Sequence, residues 1–125
     1  MATECELKYL NPDLEAVREA LARRGAEPCG VVFEENLVLD DAGRTLKKRG
    51  MLLRLRRGGG ATLLTVKLPA SRTEVCKVCS EHETTVSNLN ETLAAMEALG
   101  YTPVFVYEKL RETWRLMDCV VCLDQ

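Results

Sequence analysis

Apolar and polar residues alternate along several segments of the chain, which is the pattern of strands that bury one face. Because successive side chains of a strand point to opposite faces, the charges within each segment share one face. A sheet with one solvated face shows the same alternation, but such a face normally mixes in uncharged polar residues. Full charges dominate here, which favours a sheet whose polar side surrounds a charged ligand. These segments are 4–8, 54–56, 65–67, 81–83 and 109–111.

Helical spacing of apolar residues predicts two helices among these strands. The first begins after Asn11 as its cap and ends before Gly25, and the second begins near Ser87 or Asn88 and ends at Gly100. This order of elements predicts one α+β domain over residues 1–125 with a mainly antiparallel sheet. Strands are predicted at 3–10, 31–39, 51–57, 61–68, 76–86, 102–116 and 119–124, with a helical turn at 44–49 and a loop at 70–75.

The composition excludes several classes of protein. With 17 Lys and Arg against 19 Asp and Glu, the net charge is -2, so the chain lacks the basic field of a general nucleic-acid binder and any anion site must be local. No apolar run approaches the roughly 18 residues of a membrane span. The first residues have neither a basic start nor an apolar stretch, which predicts no secretory signal and a cytoplasmic protein.

The six cysteines include two CxxC pairs, at 76–79 and 119–122, and such pairs are ordinarily a zinc signature. The second pair lies in an apolar, β-branched run predicted to be a strand, where positions i and i+3 point to opposite faces. We therefore favour buried free thiols over a structural zinc site or a disulfide. Cys5 and Cys29 are then expected as small apolar core residues.

The charges on the alternating positions are of both signs, and together they indicate one kind of ligand. If these faces converge, the space between them must hold water, ions or a ligand, because unpaired buried charges are costly. A triphosphate with a divalent metal ion suits both signs, since Mg²⁺ takes a few carboxylates together with phosphate oxygens. His82, between two of the carboxylates, is predicted to face the opposite, core side. The cations are Lys8, Arg54, Arg56, Lys67, Lys109 and Arg111, and the anions are Glu4, Glu6, Glu81 and Glu83.

These residues resemble the signature of the CYTH superfamily, named for class IV adenylyl cyclases and thiamine triphosphatases. Its N-terminal ExExK motif stands here as residues 4–8. The resemblance continues in order along nearly the whole chain, through the Asn36 to Asp40 segment, Leu53-Arg54-Leu55-Arg56, Leu64-Thr65-Val66-Lys67, Glu81-His82-Glu83, Lys109-Leu110-Arg111 and Val121-Cys122-Leu123-Asp124.

The resemblance implies an antiparallel sheet curled into a tunnel or partly open barrel, with charged side chains inside and helices outside. It also implies an enzyme that acts on ATP or another triphosphate with Mg²⁺ or Mn²⁺, without nucleic-acid or membrane partners. The implied metal ligands are Glu4, Glu6, Glu81, Glu83 and Asp124, and the implied phosphate-binding residues are Lys8, Arg54, Arg56, Lys67, Lys109 and Arg111.

The chain departs from the family pattern at its C-terminus, where relatives continue into a further glutamate-bearing strand and a helix. Either the chain is a fragment, or its tunnel is open on one side with an exposed strand edge. Such an edge predicts pairing with a second copy as a homodimer, or low stability as a monomer.

The residues and the family resemblance are compatible with three functions. The spacing of the motifs is nearest to the adenylyl cyclase branch, which converts ATP to cyclic AMP and pyrophosphate. A triphosphatase acting on thiamine triphosphate or inorganic tripolyphosphate shares the same phosphate-binding residues. The third possibility is a protein that binds polyphosphate without catalysing a reaction. The sequence does not identify a general base.

Overall fold

The predicted strands all form in the computed structural model, which describes residues 1–73 and 75–125. The predicted loop at 70–75 contains one additional short strand, and Glu74 within it lies outside the described residues. The strands are β1 Ala2–Glu6, β2 Glu27–Asp40, β3 Leu52–Gly58, β4 Ala61–Lys67, β5 Ser71–Arg72, β6 Lys77–Val86, β7 Thr102–Leu116 and β8 Cys119–Asp124. The helices are α1 Leu14–Arg23, α2 Thr45–Lys48 and α3 Leu89–Ala98.

Side chains that can accept hydrogen bonds from the first helical turn set where the long helices begin. The carboxylate of Asp13 accepts a hydrogen bond from the backbone N–H of Ala16 at 3.2 Å, so Asp13 caps α1 and the predicted cap at Asn11 is wrong. The predicted cap of α3 at Asn88 is confirmed, since its Oδ1 accepts from Glu91 N at 2.8 Å.

Two strand boundaries differ from the prediction for identifiable reasons. Strand β1 ends at Glu6 because its partner β6 begins at Lys77, the residue paired with Glu6. Strand β2 begins at Glu27, four residues before the predicted start at 31, because the exposed residues 27–30 include a proline and a glycine and show no apolar alternation in the sequence.

The sheet has the hydrogen-bonded order β1-β6-β4-β3-β2-β7-β8, with β5 beside β6. The pairs β1–β6, β2–β3, β3–β4, β4–β6, β5–β6 and β7–β8 are antiparallel. Tertiary contacts divide the chain into two compact units. Unit 1 comprises Met1–Leu7 and Glu35–Glu108, and unit 2 comprises Lys8–Glu34 and Lys109–Gln125.

In unit 1 the core lies on one side of the sheet. Leu39, Leu53 and Leu55 are buried at its centre, and helix α3 packs Leu89 and Leu93 against them. The predicted orientation of His82 is confirmed, because it pairs with Val66 in the register of β4 and β6 and Val66 contacts this core. The opposite side of the same strands carries the charged positions.

In unit 2 helix α1 is tied to strand β7 by an ion pair. Arg18 Nε donates to Glu112 Oε2 at 2.8 Å, and Trp114 Nε1 donates to the same oxygen at 3.0 Å. The pKa of Glu112 is lowered by these two hydrogen bonds. The Trp114 side chain thus helps to hold a structural contact within this unit.

The prediction that the cysteines are buried free thiols is only partly correct. Cys5 forms a disulfide with Cys76, with Cα atoms 6.2 Å apart, and Cys29 is exposed instead of lying in the core. Cys79 is buried as a free thiol, as predicted, whereas Cys119 and Cys122 are exposed. The sequence misses the disulfide because β1 and the segment before β6 become neighbours only through the sheet.

Candidate functional site

The strand register of unit 1 places the predicted charges in rows on one face of the sheet, called here the charged face. Residues directly paired in antiparallel strands have their side chains on the same side. Arg54 pairs with Thr65, and Thr65 pairs with Glu83, so these three residues form one row across β3, β4 and β6. Lys67 pairs with Glu81 in the next row. The predicted common face of the charged positions in β3, β4 and β6 is therefore confirmed.

Arg54 lies in the middle of the charged face and is only 9% exposed. It makes no ion pair with any described residue, and its Nε has no hydrogen-bond partner there. Burial lowers the pKa of the Arg54 guanidinium, the nearby charge of Arg56 lowers that pKa further, and a hydrogen bond with Tyr107 opposes both effects. The charge of Glu83 also raises the pKa of this guanidinium, but no carboxylate among the described residues lies within ion-pair distance of it. A buried guanidinium without a directly paired carboxylate is costly. Arg54 can therefore pair directly with an anionic ligand.

Lys67 lies between two carboxylates of the charged face. Its Nζ donates to Glu4 Oε2 at 2.7 Å and lies 3.9 Å from Glu81 Oε2. The hydrogen bond with Lys67 lowers the pKa of Glu4, which keeps that carboxyl ionised. In the neighbouring row, Thr65 Oγ1 donates to Glu83 Oε2 at 2.9 Å and thereby orients that carboxylate.

Arg56 is oriented by an uncharged partner. Its Nε donates to Asn36 Oδ1 at 2.6 Å, across the register pair of β2 and β3. Asn36 is fully buried, and its Nδ2 has no hydrogen-bond partner among the described residues. A buried amide held in this way presents its N–H groups in a fixed direction.

Two residues of the N-terminal motif are placed differently from Glu4. Glu6 is exposed and pairs with Lys77 in the register of β1 and β6. Lys8 lies beyond the end of β1, is exposed and belongs to unit 2. The predicted strand 3–10 thus ends before Lys8, so strand alternation no longer supports a common face of Lys8 with Glu4 and Glu6, and that placement stays a prediction.

A second charged cluster is contained in unit 2. Asp124 accepts hydrogen bonds from Arg111 Nε and Nη2 at 2.8 and 2.9 Å, and from Lys109 Nζ at 3.0 Å. The buried Glu34 has its Oε1 3.8 Å from both cationic nitrogens. The hydrogen bonds from Arg111 lower the pKa of Asp124 to about 2, and the same contact raises the pKa of Arg111. Asp124 thus holds the two predicted phosphate-binding cations of this unit.

The carboxylates of unit 1 fit a divalent metal ion that is shared with a substrate. Mg²⁺ is usually held by one or two carboxylates together with phosphate oxygens and water. Glu4 and Glu81 already share one cation, the ammonium of Lys67. Among residues 1–73 and 75–125, no three His, Cys, Asp or Glu side chains are grouped closely enough to hold a metal by themselves. The donor set fits an ion whose remaining ligands come from a bound anion.

The sequence pattern missed several residues of the two clusters. Glu34 and Asn36 share parity on β2, opposite to the core positions Leu37 and Leu39. Extending the alternation rule to this strand would have found both residues. The hydrogen bond between Tyr107 and Arg54 has no signal in the sequence.

Comparison with known proteins identifies the fold. The model of the CYTH domain matches residues 2–125, while no curated protein matches the chain. A candidate adenylate cyclase from Vibrio parahaemolyticus superposes with a TM-score of 0.75 at 21% identity, covering 98% of this chain and 67% of that one. A protein from Pyrococcus horikoshii gives a TM-score of 0.74 at 25% identity, with coverages of 89% and 63%.

A third structure bears on activity. It is a candidate adenylyl cyclase from Hippeastrum, described as having a dominant triphosphatase activity. It superposes with a TM-score of 0.69 at 15% identity, covering 88% of this chain and 65% of that one. The present chain therefore spans about two thirds of the length of these solved proteins.

The fold is an antiparallel α+β fold, and in unit 1 one face of its sheet carries charged side chains of both signs. The chain belongs to the CYTH family, as the family match over nearly its whole length shows. The resemblance drawn from the ordered charged motifs and the predicted fold class are confirmed. Among the described helices, none has the length and apolar character of a membrane span.

Proposed function

We propose that this protein binds a triphosphate on the charged face of unit 1 and acts as an adenylyl cyclase, converting ATP to cyclic AMP and pyrophosphate. The observation that carries the proposal is Arg54, a buried guanidinium without a carboxylate partner, next to Arg56 and Lys67. Phosphate oxygens are the natural counter-ions for such a group, because a guanidinium binds them with paired, charge-assisted hydrogen bonds.

The residues of the charged face act by binding and orienting the polyphosphate. Arg54 and Arg56 neutralise the charge that develops on the phosphates when the ribose 3′-hydroxyl attacks the α-phosphorus and pyrophosphate leaves. Lys67 exchanges part of its contact with Glu4 for a phosphate oxygen. The assignment of Lys8, Lys109 and Arg111 as further phosphate-binding residues stays a prediction from the family pattern, as does that of Asp124 as a metal ligand.

Glu4 and Glu81, with Glu6 and Glu83, are the residues that would hold a divalent ion, Mg²⁺ or Mn²⁺. When bound, such an ion supplies positive charge to the phosphate oxygens and fixes their orientation. The ionised state of Glu4, maintained by Lys67, suits this role.

A triphosphatase is the second candidate function. The Hippeastrum protein of the same fold is described as having mainly this activity, which supports the alternative. Hydrolysis of thiamine triphosphate or inorganic tripolyphosphate uses the same phosphate-binding side chains, and the two reactions differ in which phosphorus meets the nucleophile.

The test is incubation of the purified chain with ATP, thiamine triphosphate and tripolyphosphate in Mg²⁺ or Mn²⁺, with separation of the products by chromatography. Cyclic AMP with pyrophosphate supports the cyclase, and orthophosphate from any of the three supports the triphosphatase. Metal-independent binding without turnover identifies a polyphosphate-binding module, and absence of both binding and turnover overturns the proposal.

A matched pair of variants connects the result to the charged face. Arg54→Met removes the buried cation, and Arg57→Met removes an exposed cation that pairs with Glu35 on the other side of the sheet. We expect R54M to weaken tripolyphosphate binding roughly 10- to 100-fold, and R57M to change it less than about threefold. Equal effects of the two variants would contradict a site at Arg54.

A cytoplasmic location and association as a homodimer remain parts of the proposal. In a reducing cytoplasm the Cys5–Cys76 pair would be a dithiol, so the location also bears on the state of β1.

A further inference from the structure

The least explained buried group on the charged face is the side-chain amide of Asn36. Its Oδ1 accepts a 2.6 Å hydrogen bond from Arg56 Nε, so the opposite end of the amide, Nδ2, is turned away from that cation. The residue has 0% exposure, and Nδ2 has no acceptor among the described residues. A buried donor without a partner is unfavourable, and native proteins rarely keep one without a reason.

A second donor with the same property lies nearby on the same face. Arg54 is two residues from Arg56 along β3, and Arg56 is the direct partner of Asn36, so Arg54 and Asn36 are diagonal neighbours at roughly 7–8 Å between backbones. Arg54 Nε also lacks a partner. Two orphaned N–H donors on adjacent strands require acceptors, and the side chains around them in unit 1 do not supply these acceptors.

We propose that Asn36 is a ligand-binding residue, whose Nδ2 donates a hydrogen bond to an oxygen of the bound polyphosphate while its Oδ1 holds Arg56. This inference rests on the proposed function, because it needs an oxyanion on the charged face. The amide is neutral, so it adds directional selectivity for an oxygen acceptor next to Arg54 and Arg56 without adding charge.

The alternative role for Asn36 is purely positional, acting only through Arg56. A double-mutant cycle separates the two roles. The variants are Asn36→Ala, Arg56→Ala and the double variant, each titrated calorimetrically with inorganic tripolyphosphate. If Asn36 contacts the ligand, N36A raises the dissociation constant roughly tenfold in the wild-type background, and by at least threefold in the R56A background. If it acts only through Arg56, N36A has no effect once Arg56 is gone.

The control is Asn90→Ala, the same chemical change at an exposed position of helix α3 in unit 1. Binding by N90A should equal that of the wild type. Folding of every variant is followed by its thermal midpoint without ligand. Should N36A not fold, Asn36→Ser keeps an oxygen for Arg56 and goes through the same cycle.

The outcomes separate a failure of the proposed role of Asn36 from a failure of the proposed function. Wild-type binding with unchanged affinity in N36A, or with no further loss in the double variant, overturns the role of Asn36 and leaves the proposed function standing. If the wild-type protein does not bind tripolyphosphate, both proposals fail together.

Discussion

At the scale of single residues, the charged face keeps an arrangement that is unfavourable without a ligand. Arg54 is buried with no carboxylate within ion-pair distance among the described residues, although the charge of Glu83 in the same row acts on it. Thr65 orients that Glu83 carboxylate. A hydrophobic residue of similar length would pack at this position without the cost of removing a charge from water. Functional sites often retain such local conflicts, because the ligand removes them.

Unit 2 shows the opposite situation, since its cations are already paired. Asp124 accepts three hydrogen bonds from Arg111 and Lys109. Arginine is therefore present in two electrostatic states: Arg54 has no directly paired carboxylate among the described residues, whereas Arg111 is hydrogen-bonded to Asp124. A phosphate that binds to Arg111 must compete with Asp124, whereas one that binds to Arg54 need not displace any described carboxylate.

The carboxylate of Asp124 should make stability depend on pH in the acid range. Its pKa falls from 3.8 to about 2 on folding. The stabilisation is complete above the unfolded pKa and is lost as the pH falls through the folded pKa. The full shift corresponds to about 2.4 kcal/mol. Because 38% of the side chain is exposed, solvent screening reduces this to about 1 kcal/mol.

We therefore expect Asp124→Asn to lower the free energy of unfolding by about 1 kcal/mol at pH 7, measured by urea denaturation. The difference from the wild type should shrink towards zero between about pH 4 and pH 2. Asp118→Asn, in the turn before β8, is the matched control and should change little. A difference that persists unchanged at pH 2 would mean that the ion pair is not its source.

At the scale of elements, periodicity predicts what each segment becomes, and pairing decides where it ends. The apolar spacing along α3 and the alternation along β7 are visible in the sequence, and β7 occupies its predicted bounds, 102–116. The end of β1 at Glu6 depends on where β6 begins, which no local pattern encodes. The predicted extension of β1 through Lys8 was wrong for this reason.

The disulfide is an element-scale feature for the same reason. Cys5 and Cys76 are separated by 71 positions and become neighbours only through the pairing of β1 with β6. Closing so large a loop restricts the unfolded chain, which stabilises a fold by about 4 kcal/mol. It also holds β1, and with it Glu4, beside β6.

Reduction of this disulfide should therefore weaken β1 before the rest of unit 1. We expect dithiothreitol to lower the free energy of unfolding by about 4 kcal/mol, and to speed amide hydrogen exchange in Ala2–Glu6 more than in β3. A Cys5→Ala/Cys76→Ala variant should match the reduced protein and be insensitive to the reagent. The control is Cys29→Ala, which removes an exposed free thiol and should keep the full response.

At the scale of the whole molecule, the family and most of the charged face were within reach of the sequence. Charged residues at every second position of several segments predict both the strands of the sheet and the face on which their charges lie. Alternation along β2 places Asn36 on the charged face, but it does not show what the amide contacts. Its importance follows only from complete burial and an unsatisfied Nδ2, which are properties of the folded chain.

The outer edge of the sheet gives the final prediction, which concerns association of the 125-residue chain. Strand β8 ends the strand order, and Leu110 and Gln125 exchange both backbone hydrogen bonds. In an antiparallel pair these bonds alternate, so Val120 directs its N–H and C=O away from β7. Val120 is also 62% exposed. An edge of this kind pairs readily with another strand.

We expect sedimentation velocity to show a dimer of this chain, and Val120→Pro to convert it to a monomer. Proline removes the outward N–H without breaking a hydrogen bond to β7, so the hairpin should stay folded. Val120→Thr keeps both the N–H and the branched side chain, and should remain dimeric. If the wild-type chain is a stable monomer, or if V120P still dimerises, the edge of β8 is not the contact, and the exposed apolar residues elsewhere become the surfaces to test.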